Sequence, residues 1–504
     1  LNLPAAWTAL VFACASFTPS LLPRAALMQG VLVGITGAIG YGIGLAGAWT
    51  WRELAERPPR PARRYSWAVF GVVAVAALVA AYLLGLREQD AIREQIGIPP
   101  EPASSHILAP IAAAFVFVLL IGAARGIRWI YRRIAGLFSR WLGRRLSAAL
   151  GGVLAAVIAL TLIDGVLLDG LINAADSVFS ARDTTTAETA IEPQSALRSG
   201  SPESLVAWDT LGRQGRSFVG HGPTAEAIGQ FNDEQALDPI RAYAGMASAE
   251  DVEERARLAV ADLERAGGFE REFLLVAGTT GTGWVDPPSI EAFEYLTGGD
   301  TATVAMQYSY LPSWLSFLVD QERARVAGRA LYDAVYEEWI SRPADARPAL
   351  YVFGVSLGSF SAETAFSGEF DMRNRTSGIL YAGAPGFNVL HAEFTSNRDA
   401  PSLAVEPVYR SGRVVRFSGD RGEPIQPDNA AWDGPRVLYL QHATDPIVWW
   451  SADLLWDRPA WLAEPRGFGV SDARGYVDGW AQVLRRDDLT VGRANRLKEI
   501  IEVE

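Results

Sequence analysis

The chain has 504 residues, 49% of them hydrophobic, with 45 basic against 57 acidic side chains. A net charge of −12 excludes a protein built for nucleic acid, which needs a basic face. The single cysteine, Cys14, excludes an internal disulfide framework, and the length leaves room for two or three domains.

The charge is unevenly spread. Residues 1–180 hold 15 arginines against nine acids, which leaves 30 basic and 48 acidic residues of the totals of 45 and 57 for the remainder. A basic apolar part is therefore followed by an acidic soluble one. The first part contains five apolar stretches, about residues 4–22, 26–50, 65–86, 106–124 and 147–171. Each is near the ~20 residues that a helix needs to cross hydrocarbon. Arg52, Arg57, Arg60, Arg63 and Arg64 follow the second stretch, and Arg125, Arg128, Arg132, Arg133, Arg140, Arg144 and Arg145 follow the fourth. Arginine-rich short loops stay in the cytoplasm, so the loop after the third stretch, with Glu88, Asp90, Glu94 and Glu101 against Arg87 and Arg93, is outside, and an odd number of spans puts everything after Asp176 outside too; Arg24, between the first two stretches, runs against this. Asp164 and Asp169, late in the fifth stretch, read as interfacial. The spans lack a cluster of charges at mid-depth, which argues against a transporter.

Residues 1–178 are thus expected to form a transmembrane helical domain, 179–204 a polar linker, and 205–504 an exoplasmic domain. From about residue 205 short apolar strands alternate with helical patterns, the signature of a parallel sheet covered by helices. The pattern predicts a helix over 249–266, a strand at 272–277, a glycine-threonine loop from Gly278 to Gly283, and a helix from about 288. A strand at 303–308, a long helix at 313–341 and a strand from Ala349 follow. Three later strands are predicted at 378–382, 413–417 and 436–440. The loop Gly281-Thr282-Gly283 lacks the Gly-Lys-Ser/Thr ending of a phosphate loop, so nucleotide binding is excluded.

The strand from Ala349 runs into Gly354-Val355-Ser356-Leu357-Gly358. Glycines two residues either side of a serine suit a tight strand-to-helix turn that exposes the hydroxyl of a nucleophile, and the strand order is that of an α/β-hydrolase. An oxyanion needs two N–H donors. Leu357, after the serine, supplies one; the Thr279-Thr280 backbone, after an earlier strand, stands in place for the other. The soluble half holds three histidines, His221, His391 and His442. Partners of such a serine come from strand ends after it, which disfavours His221. His442 follows a strand and opens Gln441-His442-Ala443-Thr444-Asp445-Pro446. Asp445 lies where an acid partner sits in cutinase-like and class 3 lipase-like enzymes, but no histidine follows it. Either His442 and Asp445 act together across one turn, or one of them is structural and His391 is the base. Asp320, Asp286 and Glu393 are reserve acids. No His/Glu or His/His spacing offers metal ligands, and no cofactor is expected. Trp449, Trp450, Trp456 and Trp461 follow the His442 loop, and Trp314 follows another strand. Tryptophan favours membrane interfaces, so Trp314, Trp449 and Trp450 are expected to bind substrate.

The chain resembles a bacterial membrane-anchored α/β-hydrolase family in which a multi-span N-terminal domain precedes a hydrolase domain. The match is carried by residues 18–24 (Thr-Pro-Ser-Leu-Leu-Pro-Arg), Trp208-Asp209-Thr210-Leu211-Gly212 with Gly215-Arg216, and Thr280-Gly281-Thr282-Gly283-Trp284. It continues through residues 312–318, the Ser356 turn, and His442 to Trp450. The resemblance implies an α/β-hydrolase fold and a serine hydrolase, and carries no substrate. The whole reading is an integral inner-membrane enzyme facing the periplasm or exterior, whose partners are membrane lipids and an acyl ester. Transfer of the acyl group to another hydroxyl, or an inactive lipid-binding or assembly scaffold, are the alternatives.

Overall fold

The computed structural model describes residues 2–17, 24–56, 58, 62–95, 101–138, 176–177, 179–419, 431–443, 445–451, 454, 458–465 and 467. These fall into two compact units, one ending at Phe138 and the other beginning at Asp176.

The first unit consists of α1 (Leu3–Ala15), α2 (Ala26–Leu54), α3 (Arg64–Gln95) and α4 (Leu108–Phe138). Among the described residues three stretches are long and apolar enough to cross a membrane: Ala26–Leu54, Arg64–Arg87 and Ala103–Phe138. They support membrane anchoring, but number three where five were expected. The 13-residue α1 is shorter than a span. The rest of the first expected span, with most of the 18–24 motif, and the whole of 147–171 lie outside the described residues. Glycines seat α2 between its neighbours. A Cβ on Gly44 would fall 2.6 Å from Ala5 Cα, and one on Gly30 2.2 Å from the Ala109 carbonyl oxygen. Lipid gives helices no hydrophobic drive to associate, so backbone-to-backbone packing of this kind is what holds them. Val72, Val75, Phe115 and Val118 remain exposed, as lipid-facing side chains do.

The second unit is built on seven strands: β1 (Ile240–Ala244), β2 (Phe273–Gly278), β3 (Thr301–Met306), β4 (Ala349–Val355), β5 (Gly378–Ala382), β6 (Val415–Ser418) and β7 (Arg436–Leu440). They pair in parallel throughout, in the order β1-β3-β2-β4-β5-β7-β6. β1, β3 and β5 are buried at every position, and β5 (Gly-Ile-Leu-Tyr-Ala) reads as a continuous apolar run, whereas β1 carries Arg241 and β3 carries Thr301 and Thr303. One core layer joins Leu274, Val276, Val304 and Val352 to helices Val252–Arg265, Gln321–Ser341, Leu357–Glu363 and Val389–Ser396. The other joins Leu275, Phe353 and Leu438 to helices Gly212–Gly220 and Pro287–Leu296.

Two expectations are corrected here. The long helix breaks at Asp320, giving Ser313–Val319 and Gln321–Ser341, because Asp320 leaves helical backbone geometry at φ −128°. The linker is no free spacer between Asp183 and Ser204. Asp183 accepts from Arg213 N–H at 3.0 Å, and Ser199 and Ser204 hydroxyls donate to Asp262 at 2.5 and 2.9 Å. Its polar side chains bond to the rest of the second unit.

Candidate active site

β4 lies fourth of seven strands, paired on both sides, and its C-terminal end carries Ser356. Ser356 has φ 54° and ψ −125°, a positive φ that a side chain rarely adopts. Such backbone costs on the order of 1–3 kcal/mol and persists only where the surroundings dictate it. Here Ser356 N–H donates to Ala382 O at 2.9 Å, and its carbonyl accepts from Ser359 N–H at 2.9 Å and from Ser359 Oγ at 2.6 Å. The strand stops and the helix Leu357–Glu363 starts at once, leaving Ser356 half-buried at the turn.

The glycines of the motif serve close packing. A Cβ on Gly354 would lie 2.5 Å from Gly358 O, and one on Gly358 would lie 2.4 Å from Gly278 O. Gly278, the last residue of β2, meets the same limit, with Gly358 O 2.1 Å from its would-be Cβ. Backbone contact between β2 and the serine turn therefore sets the Thr279-Thr280 loop beside Leu357. Within that loop Thr280 N–H donates to Trp284 O at 3.1 Å and Gly283 N–H to Thr280 O at 2.8 Å. Thr279 Oγ1 donates to Met306 O at 2.7 Å. Thr280 N–H is thus engaged in the loop's own turn, and Thr279 is the residue of the pair that follows β2 directly.

The register aligns the other candidates. Val355 pairs with Ala382, and Ala382 with Leu440, so Ser356, Gly383 and Gln441 leave the sheet at one level. Two strand spacings put the Gln441-His442 turn roughly 10 Å from the serine backbone. His442 is half-buried, and its carbonyl accepts from Asp445 N–H at 3.1 Å and from Trp449 Nε1 at 3.0 Å. Asp445 caps the helix Pro446–Trp449, accepting from Ile447 N–H at 2.9 Å with Oδ1. Its Oδ2 lies against Gly383, 3.3 Å from where a Cβ would stand. Thr444 lies outside the described residues.

Residues 240–477 match the model of an alpha/beta-hydrolase family, and residues 17–223 match the model of that family's N-terminus. The chain belongs to this family. No curated protein and no solved structure matches it.

Within the α/β-hydrolase domain the remaining histidines sit apart from the serine turn or deep in the core. His391 is buried, its Nε2 2.7 Å from Gln441 Oε1 and its ring against Tyr439 and Phe417. Gln441 Nε2 donates to Val405 O at 3.0 Å, so Gln441 Oε1 faces His391 as an acceptor and His391 Nε2 carries the proton. Burial holds this imidazole below its ordinary value. His221 Nδ1 lies 2.7 Å from Ser217 O, at the end of the helix Gly212–Gly220. Of the reserve acids, Asp286 caps the helix Pro287–Leu296 and Glu393 is exposed. Asp320 is buried 3.3 Å from Arg323, and burial raises its carboxyl against the pull of Ser309 and Arg323.

The tryptophans divide. Trp449 is buried against Trp461, with ring centroids 5.6 Å apart, in a side core with Val448, Ala404 and Val405. Trp450 is exposed and meets Phe317 edge to face at 5.5 Å. Phe317 packs on Phe387 and Phe387 on Phe360, so an aromatic line joins the helix Leu357–Glu363 to Trp450. The side chain of Trp314, and Trp456 altogether, lie outside the described residues.

Sequence reasoning missed Glu363, the last residue of the helix Leu357–Glu363 that follows Ser356. It is buried in the hydrolase core, where its carboxylate accepts from Tyr439 Oη at 2.8 Å, Asn388 Nδ2 at 3.1 Å and Leu390 N–H at 2.9 Å. Burial outweighs these bonds and pushes its carboxyl up to about 7. The only local signal was a charged residue in an apolar helix.

Proposed function

We propose that the protein is a membrane-anchored serine hydrolase acting on acyl esters of lipids or lipid-linked molecules. The observation that carries this reading is Ser356 itself: strained backbone at φ 54°, on a parallel strand end, held by glycines whose added Cβ would stand 2.1–2.5 Å from neighbouring backbone. Ser356 Oγ attacks the ester carbonyl carbon as His442 takes its proton. Leu357 N–H and Thr279 N–H hold the oxyanion, and Asp445 orients His442 through the turn between them. The alcohol leaves with the proton from His442, and an acyl group remains on Ser356. Water, deprotonated by His442, attacks that acyl-enzyme, the acid leaves, and Ser356 regains its proton.

The burial of His391 and its bond to Gln441 support His442 as the base. Phe317 and Trp450 support an apolar acyl group at the site. The arginine-rich loops support an outward-facing hydrolase domain on the inner membrane. Fluorophosphonate labelling of the full-length protein in detergent tests the chemistry. Labelling is expected on Ser356 by peptide mass spectrometry, lost in Ser356→Ala and His442→Ala and kept in folded His391→Ala. A folded wild type that takes no label in lipid-supplemented detergent would sink the enzyme reading in favour of a binding scaffold. Product analysis with an added alcohol acceptor separates hydrolysis from acyl transfer.

A further inference from the structure

We infer that the helical unit contains a binding site for one neutral or zwitterionic membrane lipid, with alkyl chain in an apolar cavity and an ester or hydroxyl group at Tyr82 and His106. The cavity measures about 680 Å³ and is lined from all four helices, by Leu10 of α1, Gly34 of α2, Leu78 of α3 and Phe117 of α4 among others. That volume is in the range of sites that enclose a sizeable ligand. It far exceeds the few water-sized voids of a packed interior. Apolar walls of this kind do not hold water. For a membrane-anchored unit, the apolar material at hand is acyl chains.

Two polar atoms break the apolar lining. Tyr82 Oη and His106 Nδ1 are buried without a hydrogen-bond partner. Their rings meet edge to face at 6.2 Å, and both residues line this cavity and a smaller polar one beside it. Buried polar atoms are nearly always bonded, so two orphans on rings in contact indicate a missing partner. A phenol hydroxyl and an imidazole nitrogen together offer a donor and an acceptor, which suits an ester carbonyl or a glycerol hydroxyl.

The charges beyond them narrow the lipid class. The smaller cavity carries Arg24 and Arg93 against Asp90 and Glu101. Arg93 Nη2 lies 3.5 Å from Glu101, Glu101 accepts Ala26 N–H at 2.9 Å, and Arg24 Nη1 donates to Ser16 O at 3.0 Å. Two arginines against two acids leave no net charge to select an anionic headgroup. This site stands independently of the chemistry at Ser356.

The test is photocrosslinking of the full-length protein in phosphatidylcholine nanodiscs, with a trace of phosphatidylcholine bearing a diazirine in one acyl chain. Adducts mapped by mass spectrometry are expected to concentrate at Leu10 and Phe117, above the yield at the exposed Val72 and Phe115. Ala13→Trp, which fills the cavity, is expected to abolish the first group and spare the second. Tyr82→Phe adds no bulk and removes one hydrogen bond, so cavity yield is expected to drop about fivefold. Adducts spread evenly over exposed and cavity positions, or cavity yield unchanged in Tyr82→Phe, would overturn the site as described. Stronger cavity labelling from a phosphatidylglycerol probe would overturn the choice of a neutral lipid.

Discussion

Replacing Glu363 by glutamine tests the buried network at the end of the helix Leu357–Glu363. Its carboxyl stands at about 7 in the folded chain against an ordinary value of 4.5, a difference of about 3 kcal/mol between the folded and unfolded states. The raised value means that folding favours the protonated acid. Its stabilising share is complete below pH 4.5, shrinks as the unfolded chain ionises, and is gone once pH passes about 7. Glutamine does not titrate and keeps the shape. Its carbonyl can accept from Leu390 N–H, and its NH2 can face Tyr439 Oη and Asn388, whose Oδ1 is buried without a partner and can turn to accept. The stability of Glu363→Gln relative to wild type is therefore expected to grow by about 3 kcal/mol between pH 4.5 and 8, or roughly 6–12 °C in Tm for a domain of this size. Tryptophan fluorescence during thermal unfolding of the full-length protein in detergent, at several pH values, reads this directly. Parallel wild-type and variant curves across that range would refute a buried carboxyl held near neutrality.

Three further outcomes are expected. His442→Ala is expected to lower ester hydrolysis by about 10²–10⁴ with folding intact; His391→Ala is expected to lower thermal stability while activity per folded molecule persists, so an unaffected His442→Ala would remove that residue from the mechanism. Gly278→Ala places a Cβ 2.1 Å from Gly358 O, and forcing β2 off the serine turn is expected to cost about 1–3 kcal/mol in unfolding experiments. It is also expected to reduce kcat by about 10²–10³ as the Thr279 donor shifts, and a fully active variant would deny that loop its role. Phe317→Ala with Trp450→Ala is expected to reduce kcat/KM for long-chain esters more than for acetyl esters; an equal loss for both would show that the aromatic line packs the domain and does not read the acyl chain.

Much of the fold is written in local pattern. Parallel strands buried on both faces are short apolar runs stopped by glycine or proline, so β4, β5 and β7 are legible in the residues alone. The Gly-x-Ser-x-Gly turn is legible for a related reason, because its glycines answer a local demand for close backbone approach. β1 is not, since Arg241 interrupts it. That arginine is tolerated because Glu294, 53 residues away, meets it through two 2.7 Å bonds inside the core. The same gap separates expectation from outcome at 183–204, whose polarity reads as a spacer until Arg213 and Asp262 are brought beside it.

The sequence by itself determined the membrane-anchored, two-part organisation, the α/β-hydrolase class and the serine turn, because periodicity, span length and turn chemistry act over a few residues. Only the tertiary structure decided which groups are occupied. Thr280 N–H is taken by its own loop, His391 by Gln441, and Trp449 by Trp461, while Tyr82 and His106 are left facing a cavity. A hydrogen bond or a void depends on where distant segments meet, and no local pattern records that distance.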